Sequence, residues 1–317
     1  MRLVTIDDIR LAARTIEPVA VRTPLLPCPW ADPDRPLWLK PENLQPIGAF
    51  KIRGAYHAIA RLPADARARG VVAYSSGNHA QAVAYAARAF GVPAVIVIED
   101  TAPEIKVTAT RAHGAEVVQV PLPDRESAAA EIGRERGLAL IPPFDHPDVI
   151  AGQGTIGLEI VADLPDVDVV LVPVSGGGLI SGIAGAVKAL RPQAAVIGVE
   201  PVLAADTAEG LAAGERVHWA PADRARTMAD GLRAEPSELT FAHLRKLVDG
   251  IVTVTEDELL AAVAHLARTA RLIAEPSGAA STAAYLNHAA DFPPGRTVAV
   301  VSGGNIDPAV LTRALAG

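Results

Sequence analysis

The sequence predicts an α/β protein made of doubly wound parallel sheets in two domains. Short apolar runs alternate with alanine-rich stretches of helical length through most of the chain, the pattern of strands joined by crossover helices. In the strand run "VDVVLVPV" (167–174) every residue but Asp168 is apolar, instead of every second one, as in strands covered on both faces. The 317 residues also exceed what a single hydrophobic core commonly serves.

Thr5, with Asp8 three residues on, makes a capping-box-like start for an amphipathic helix that runs to about Pro18. "PENLQPIGAFKIRGAY" (41–56) holds a turn at Pro46 to Gly48 and then a helix start near Lys51. "GVVAYS" (70–75) reads as a strand before the helix "NHAQAVAYAARAFG" (78–91), whose closing glycine suits a C-cap. "AVIVI" (94–98) precedes the helical "PEIKVTATRAHG" (103–114), and "AEVVQV" (115–120) precedes a helix near 124–136. The proline-rich "IPPFDHPDV" (141–149) reads as the crossing between two sheet units. Strand 167–174 leads to the helix "GLISGIAGAVKAL" (178–190) and the strand "AAVIGVE" (194–200). "TEDELLAAVAHLARTARLI" (255–273) predicts one long amphipathic helix, and "TVAVV" (297–301) a buried strand.

Composition narrows the function. A net charge of −7 argues against nucleic-acid and anionic-membrane partners, which need concentrated Lys and Arg. A single cysteine, Cys28, excludes an internal disulfide framework and fits a reducing cytosol. Asp7 and Asp8 interrupt any apolar core of a signal peptide, and no window approaches 18 uninterrupted apolar residues. A soluble, cytoplasmic protein is expected.

Four motifs sit where strands end and helices begin. "PVSGGGLISG" (173–182) places three consecutive glycines between a buried strand and a helix, so that backbone N–H groups and the helix dipole can converge on a phosphate. "YSSGNHAQ" (74–81) brings Ser75, Ser76, Gly77, Asn78 and His79 to another helix start, a cradle for a carboxylate or simply a well-capped helix. "VVSGGNID" (300–307) ends a strand in Ser302, two glycines and Asn305, a ligand position or a helix cap. Lys51 follows a turn and Phe50 in a lysine-poor chain, either as a solvated first-turn residue or as a Schiff-base lysine. "GQGTIG" (152–157) matches a dinucleotide fingerprint, but the preceding "HPDVIA" is a weak strand and no acidic residue follows at the required distance. A close-packed helix start explains it better. A phosphate nest, a carboxylate cradle and an isolated lysine together point to pyridoxal 5'-phosphate (PLP).

With these motifs in view, the chain resembles the fold-type-II PLP enzymes, whose fold is that of the tryptophan synthase β chain, in the branch of serine/threonine dehydratases and serine racemase. "GAFKIRGA", "SSGNH", "AGQGTIGLE", "SGGGL", "ADG" and "EPSGA" carry the resemblance, in order, from "RTPLL" (22–26) to "SGGN" (302–305). It implies that Lys51 forms the Schiff base and moves the α-proton, that Phe50 stacks on the cofactor ring and that Asn78 bonds its 3'-oxygen. It places the phosphate on Ser175, Gly176, Gly177, Gly178 and Leu179, and Ser302 at the pyridine nitrogen. The substrate carboxylate would meet Ser75 to His79. A neutral hydroxyl at Ser302 leaves the ring nitrogen mostly unprotonated, which favours prompt β-elimination of water from L-threonine or L-serine. Ser76 stands where racemases carry a second base, so serine racemase is the alternative, with 3-hydroxyaspartate as a further substrate.

The resemblance implies more. Glu200, the Ala204 carbonyl and Asp206 match a divalent-cation site suited to Mg²⁺ or Ca²⁺, where composition alone suggests a solvated helix start. Residues 70–146 would form a small domain closing on a large one, 1–69 and 147–317. The chain ends near where the catalytic fold ends, so feedback inhibition by isoleucine is not expected. A homodimer or homotetramer is expected, acting on a small hydroxy amino acid.

Overall fold

The structure, a computed structural model, describes residues 2–102 and 104–316. The strands of the described residues are β1 (Leu26–Pro27), β2 (Leu37–Pro41), β3 (Val71–Tyr74), β4 (Ala94–Glu99), β5 (Glu116–Val120), β6 (Ala139–Leu140), β7 (Val169–Pro173), β8 (Ala195–Pro201), β9 (Gly250–Val254) and β10 (Thr297–Val301). They form a six-stranded sheet ordered β1-β2-β10-β7-β8-β9 and a four-stranded sheet ordered β5-β4-β3-β6. Every pairing is parallel except β1 with β2 at the edge.

The apolar strands are covered on both faces. In β10, Val298 and Val300 pack with Ile180, Ile183 and Ile156, while Ala299 and Val301 pack with Leu259, Ala280 and Ala283 on the other side. The smaller sheet repeats this, with Val71, Ala73, Ile96 and Ile98 facing one cluster and Val72, Val95 and Val97 the other. Ile52, Ala55, Ala58 and Ile59, from the helix Lys51–Arg61, complete the first of those clusters.

Helix ends follow the local chemistry. Thr5 and Asp8 form the capping box of Ile6–Ile16, and Gly91 closes Asn78–Phe90 in the left-handed conformation. The segment read as one helix over 255–273 is instead Glu256–His265 followed by a π-helical turn, Leu266–Ala270, that ends at left-handed Arg271. Pro103, in the helix expected over 103–114, lies outside the described residues, and Glu104–Ala112 is helical.

"GQGTIG" is not a helix start. It lies inside the helix Pro147–Asp163, and the run before it forms the first turns of that helix. The close-packing explanation holds: a Cβ on Gly152 would come 2.6 Å from Gly54 Cα, and one on Gly154 would come 2.9 Å from Gly182 O. Gly54 and Gly182 belong to the helices Lys51–Arg61 and Gly178–Leu190, so these glycines let three helices touch backbone to backbone.

Candidate active site

Lys51 opens its helix from a seat stitched to the end of β10. The preceding turn needs Gly48, at φ +72°, where a side chain would run into Asn305 at 2.6 Å. Gly48 O accepts from Gly304 N (2.9 Å), Ala49 bridges to Gly303, and Phe50 N donates to Ser302 O (3.1 Å). "PIGAFK" and "SGGN" are thereby one local structure. Lys51 is not a solvated first-turn residue. Its Nζ donates to Pro143 O at 2.7 Å and lies 5.1 Å from the Phe50 ring centroid. Burial brings its amine down to about 8.

The glycine loop lies against the next residue along. A Cβ on Gly176 would come 2.4 Å from the Phe144 ring, and one on Gly178 would come 2.8 Å from Phe144 Cβ. Gly177 adopts φ +84° immediately before the helix Gly178–Leu190. The first-turn amides of that helix, at Gly178 and Leu179, have no preceding helical carbonyl to bond, and the dipole adds positive potential there. Ser175 is held by its Oγ, which accepts from Ala234 N at 3.0 Å.

The "SSGNH" run is split in its duties. Ser75 Oγ accepts from Gly77 N (3.2 Å), and the Ser76 hydroxyl is half-buried. Asn78 reaches the end of β10: its Nδ2 donates to Glu275 Oε1 (2.6 Å), and its Oδ1 accepts from Asn305 Nδ2 (2.7 Å). His79 is 3% exposed, with Nε2 on Ile141 O at 2.9 Å. Burial, and then the charge of Lys51, push its imidazole down to about 3, so the ring is neutral. Its Nδ1 is buried with no partner.

Residues Ile141 to Phe144 therefore touch "SSGNH", Lys51 and the glycine loop in turn, and Ser302 joins through Phe50. The four sequence motifs meet at one place. Two open surface grooves of ≈550 and ≈440 Å³, one lined by Leu211, Leu244 and Arg245 and the other by Arg88, Arg111 and His113, contain none of these residues.

Sequence alone gave Glu275 and Arg53 no role at this site and left Asn305 as a ligand position or a helix cap. Glu275, from "EPSGA", is buried and pushed up to about 8 by burial and then by the charge of Asp230. Asn305 is no helix cap: its Nδ2 also donates to Ile47 O (2.8 Å). Arg53, two residues past Lys51, is fully buried between Glu42 (bidentate, 2.8 Å each) and Glu159 (2.6 and 2.9 Å), with Thr155 Oγ1 at 3.0 Å. Lys40 completes the network by donating to Glu159 and to Thr23 O. Burial would raise the Glu42 carboxyl, but the charge and hydrogen bonds of Arg53 outweigh it and hold Glu42 below the usual range.

The other predicted cluster is separate. Glu200, next to last in β8, accepts from Thr207 N (3.2 Å) and Ala208 N (2.8 Å), in the first turn of the helix Asp206–Ala213. Glu200 is 1% exposed and Asp206 3%, so this is no solvated helix start. Burial raises Glu200 to about 8 and Asp206 to about 6, and Asp206 Oδ2 is buried without a partner. A divalent cation suits this pair chemically, since it would favour the charged form of both carboxyls and give Oδ2 a partner. Among the described residues no three His, Cys, Asp or Glu side chains gather around a point, so such a cation would also draw on carbonyl and water oxygens.

Residues 16–303 match the family of pyridoxal-phosphate dependent enzymes. The chain belongs to that family. It is 45% identical over 320 residues to the L-threonine ammonia-lyase of Thermotoga maritima, covering 98% of this chain and 78% of that one. It is 38% identical to the L-threo-3-hydroxyaspartate ammonia-lyase of Saccharomyces cerevisiae, over 96% of this chain and 94% of that one. The solved structure of maize serine racemase superposes with a TM-score of 0.92 at 36% identity, covering 99% and 98% of the two chains. In this PLP-dependent enzyme the residues present fit the cofactor: a desolvated lysine amine, a side-chain-free glycine loop at a helix N-terminus, and a buried neutral hydroxyl at Ser302, 5% exposed.

Proposed function

We propose that the protein removes water from L-threonine or L-serine and releases a 2-oxo acid and ammonia. The observation that carries this is the Lys51 amine, desolvated to about 8 and set on Pro143 O beside the residue that packs on the glycine loop. At pH 7 such an amine is neutral in roughly one molecule in ten, against fewer than one in a thousand for an unperturbed lysine. When bound, PLP supplies an electron sink for negative charge at the substrate Cα.

In this reading Lys51 holds the cofactor and, once displaced, takes the α-proton on Nζ. The β-hydroxyl leaves as water, the proton it takes up balanced by the α-proton held on Nζ, and hydrolysis of the released enamine through its imine gives the 2-oxo acid and ammonia. The amides from Ser175 to Leu179 bind the phosphate. Phe50 packs on the ring, and Asn78 donates to its 3'-oxygen. Ser302 offers the ring nitrogen a neutral hydroxyl, which favours expulsion of the β-substituent over a long-lived carbanion. Ser75 to His79 receive the substrate carboxylate, and neutral His79 adds no charge of its own.

Residues 70–146 form the small domain that closes on residues 1–69 and 147–317. Glu200, Asp206 and the Ala204 carbonyl hold Mg²⁺ or Ca²⁺. A cytoplasmic homodimer or homotetramer completes the reading. No described helix is long and apolar enough to cross a membrane.

A second reading, serine racemisation, is favoured by one residue. Ser76 carries a half-buried hydroxyl in the cradle, and the serine racemase of maize shares the whole fold. One assay separates the two. PLP-loaded protein with Mg²⁺ receives L-threonine, L-serine and L-threo-3-hydroxyaspartate separately, with 2-oxo acid and D-isomer measured in each. Oxo acid without D-isomer is expected; abundant D-serine that Ser76→Ala abolishes would replace the first reading with the second. Borohydride reduction that labels no Lys51 peptide would sink both.

A further inference from the structure

The Asn78 amide is held by a chain of hydrogen bonds whose direction is set from one end. Ile47 O can only accept, so the Asn305 atom facing it at 2.8 Å must be Nδ2. The second hydrogen of that nitrogen goes to the Asn78 atom at 2.7 Å, which must then be Oδ1. This turns Asn78 Nδ2 toward Glu275 Oε1, at 2.6 Å. One hydrogen of Asn78 Nδ2 is spent there, leaving its second as the only free donor on the amide.

The surroundings are shaped to keep this chain in place. A side chain at Gly48 would collide with Asn305 Oδ1 at 2.6 Å, and one at Gly303 would collide with Glu275 Oε1 at 2.4 Å and crowd Asn78 Nδ2 at 3.0 Å. Glu275 N donates to Gly303 O at 3.1 Å, which ties its backbone to the strand end that also carries Ser302. The turn before Lys51 and the loop after Ser302 thus hold the two residues that orient Asn78.

We propose that Asn305 and Glu275 are positioning residues: together they fix which way the Asn78 amide faces, so that its free N–H rather than its carbonyl meets the cofactor. The two faces of an amide are nearly isosteric, and a flipped Asn78 would set an acceptor against an acceptor. This rests on the reading of Asn78 as a PLP ligand.

The test is a double-mutant cycle read by the PLP dissociation constant and the position of the visible band of PLP-loaded protein. The variants are Asn305→Ala, Glu275→Ala, Glu275→Gln and Asn78→Ala, with the first two also made in the Asn78→Ala background. Asn305 is exposed, so Asn305→Ala tests the idea even where Glu275→Ala does not fold. Asn305→Ala is expected to weaken PLP binding about fivefold and to shift the band, a hydrogen bond's worth. In the Asn78→Ala background it should change neither. Glu275→Gln, which keeps an acceptor, should hold the wild-type band, and Glu275→Ala should not. Effects of Asn305→Ala that persist without Asn78, or no effect where Asn78→Ala has one, would overturn the proposal. Wild-type protein that takes up no PLP on Lys51 fails the functional reading itself, a result distinct from either.

Discussion

At the scale of single residues, Lys51 and Arg53 share a helix and have opposite electrostatic fates. Among the described residues no carboxylate offsets the burial of Lys51, which favours the neutral amine. Its folded value of about 8 lies below the usual lysine range, so between about 8 and that range the unfolded chain binds more protons. The stability contributed by a neutral Lys51 is present at high pH and is lost as pH falls through about 8. Lys51→Met should therefore make cofactor-free protein more stable near pH 7 by thermal melting, with the gap closing toward pH 10. Borohydride trapping of PLP by wild-type protein should also rise with an apparent pKa near 8. Arg53 is the converse, a fully buried charge answered by Glu42 and Glu159. Removing it leaves the buried Glu42 carboxylate without its ion-pair partner and Glu159 with Lys40 alone, so Arg53→Ala should cost about 3–5 kcal/mol in denaturant unfolding.

At the scale of elements, glycine decides where chains approach. In the loop Gly176 to Gly178 the neighbours are Phe144 and Thr240, and Gly177 is left-handed as well. Gly177→Val would add a β-branched residue at φ +84° with Thr240 Cβ 2.9 Å away. It should lower PLP affinity at least tenfold by equilibrium dialysis, while far-UV circular dichroism stays near wild type because the strand and helix on either side are intact. Inside the helix Pro147–Asp163, by contrast, Gly152 and Gly154 serve packing alone. The same residue type in a similar-looking motif therefore does unlike work, depending on whether a ligand or a helix lies opposite.

At the scale of the whole molecule, polar contacts span the two sheets across the site. Lys106, on the helix after β4, meets Asp230 at 2.6 Å, and Ser237 Oγ donates to Asp145 Oδ1 at 2.6 Å. Both residues of the ion pair are partly exposed, so Lys106→Met should raise KM by no more than about fivefold, and high salt should mimic it. A larger fall in kcat than rise in KM would place Lys106 in the chemistry. At the Glu200–Asp206 pair, Mg²⁺ or Ca²⁺ should raise the melting temperature, and Glu200→Gln should abolish that rise.

The alternation of apolar runs and helices determined the α/β class, because a strand covered on both faces has to be apolar throughout. The motifs also named most of the residues that meet at the site, since a glycine run, an "SSGNH" turn and a lysine after a turn have few other uses together. Tertiary structure alone decided three things. Arg53, on a helix that could equally face water, is buried because Glu42 and Glu159 come to it from distant segments. Glu275 and Asn305 gain their roles only when β10 sets them beside Asn78, 197 and 227 residues away in the chain. The "GQGTIG" run is a packing surface because two other helices press on it. Periodicity records what a segment does with its own faces, whereas hydrogen-bond partners and close approaches belong to segments that only folding brings together.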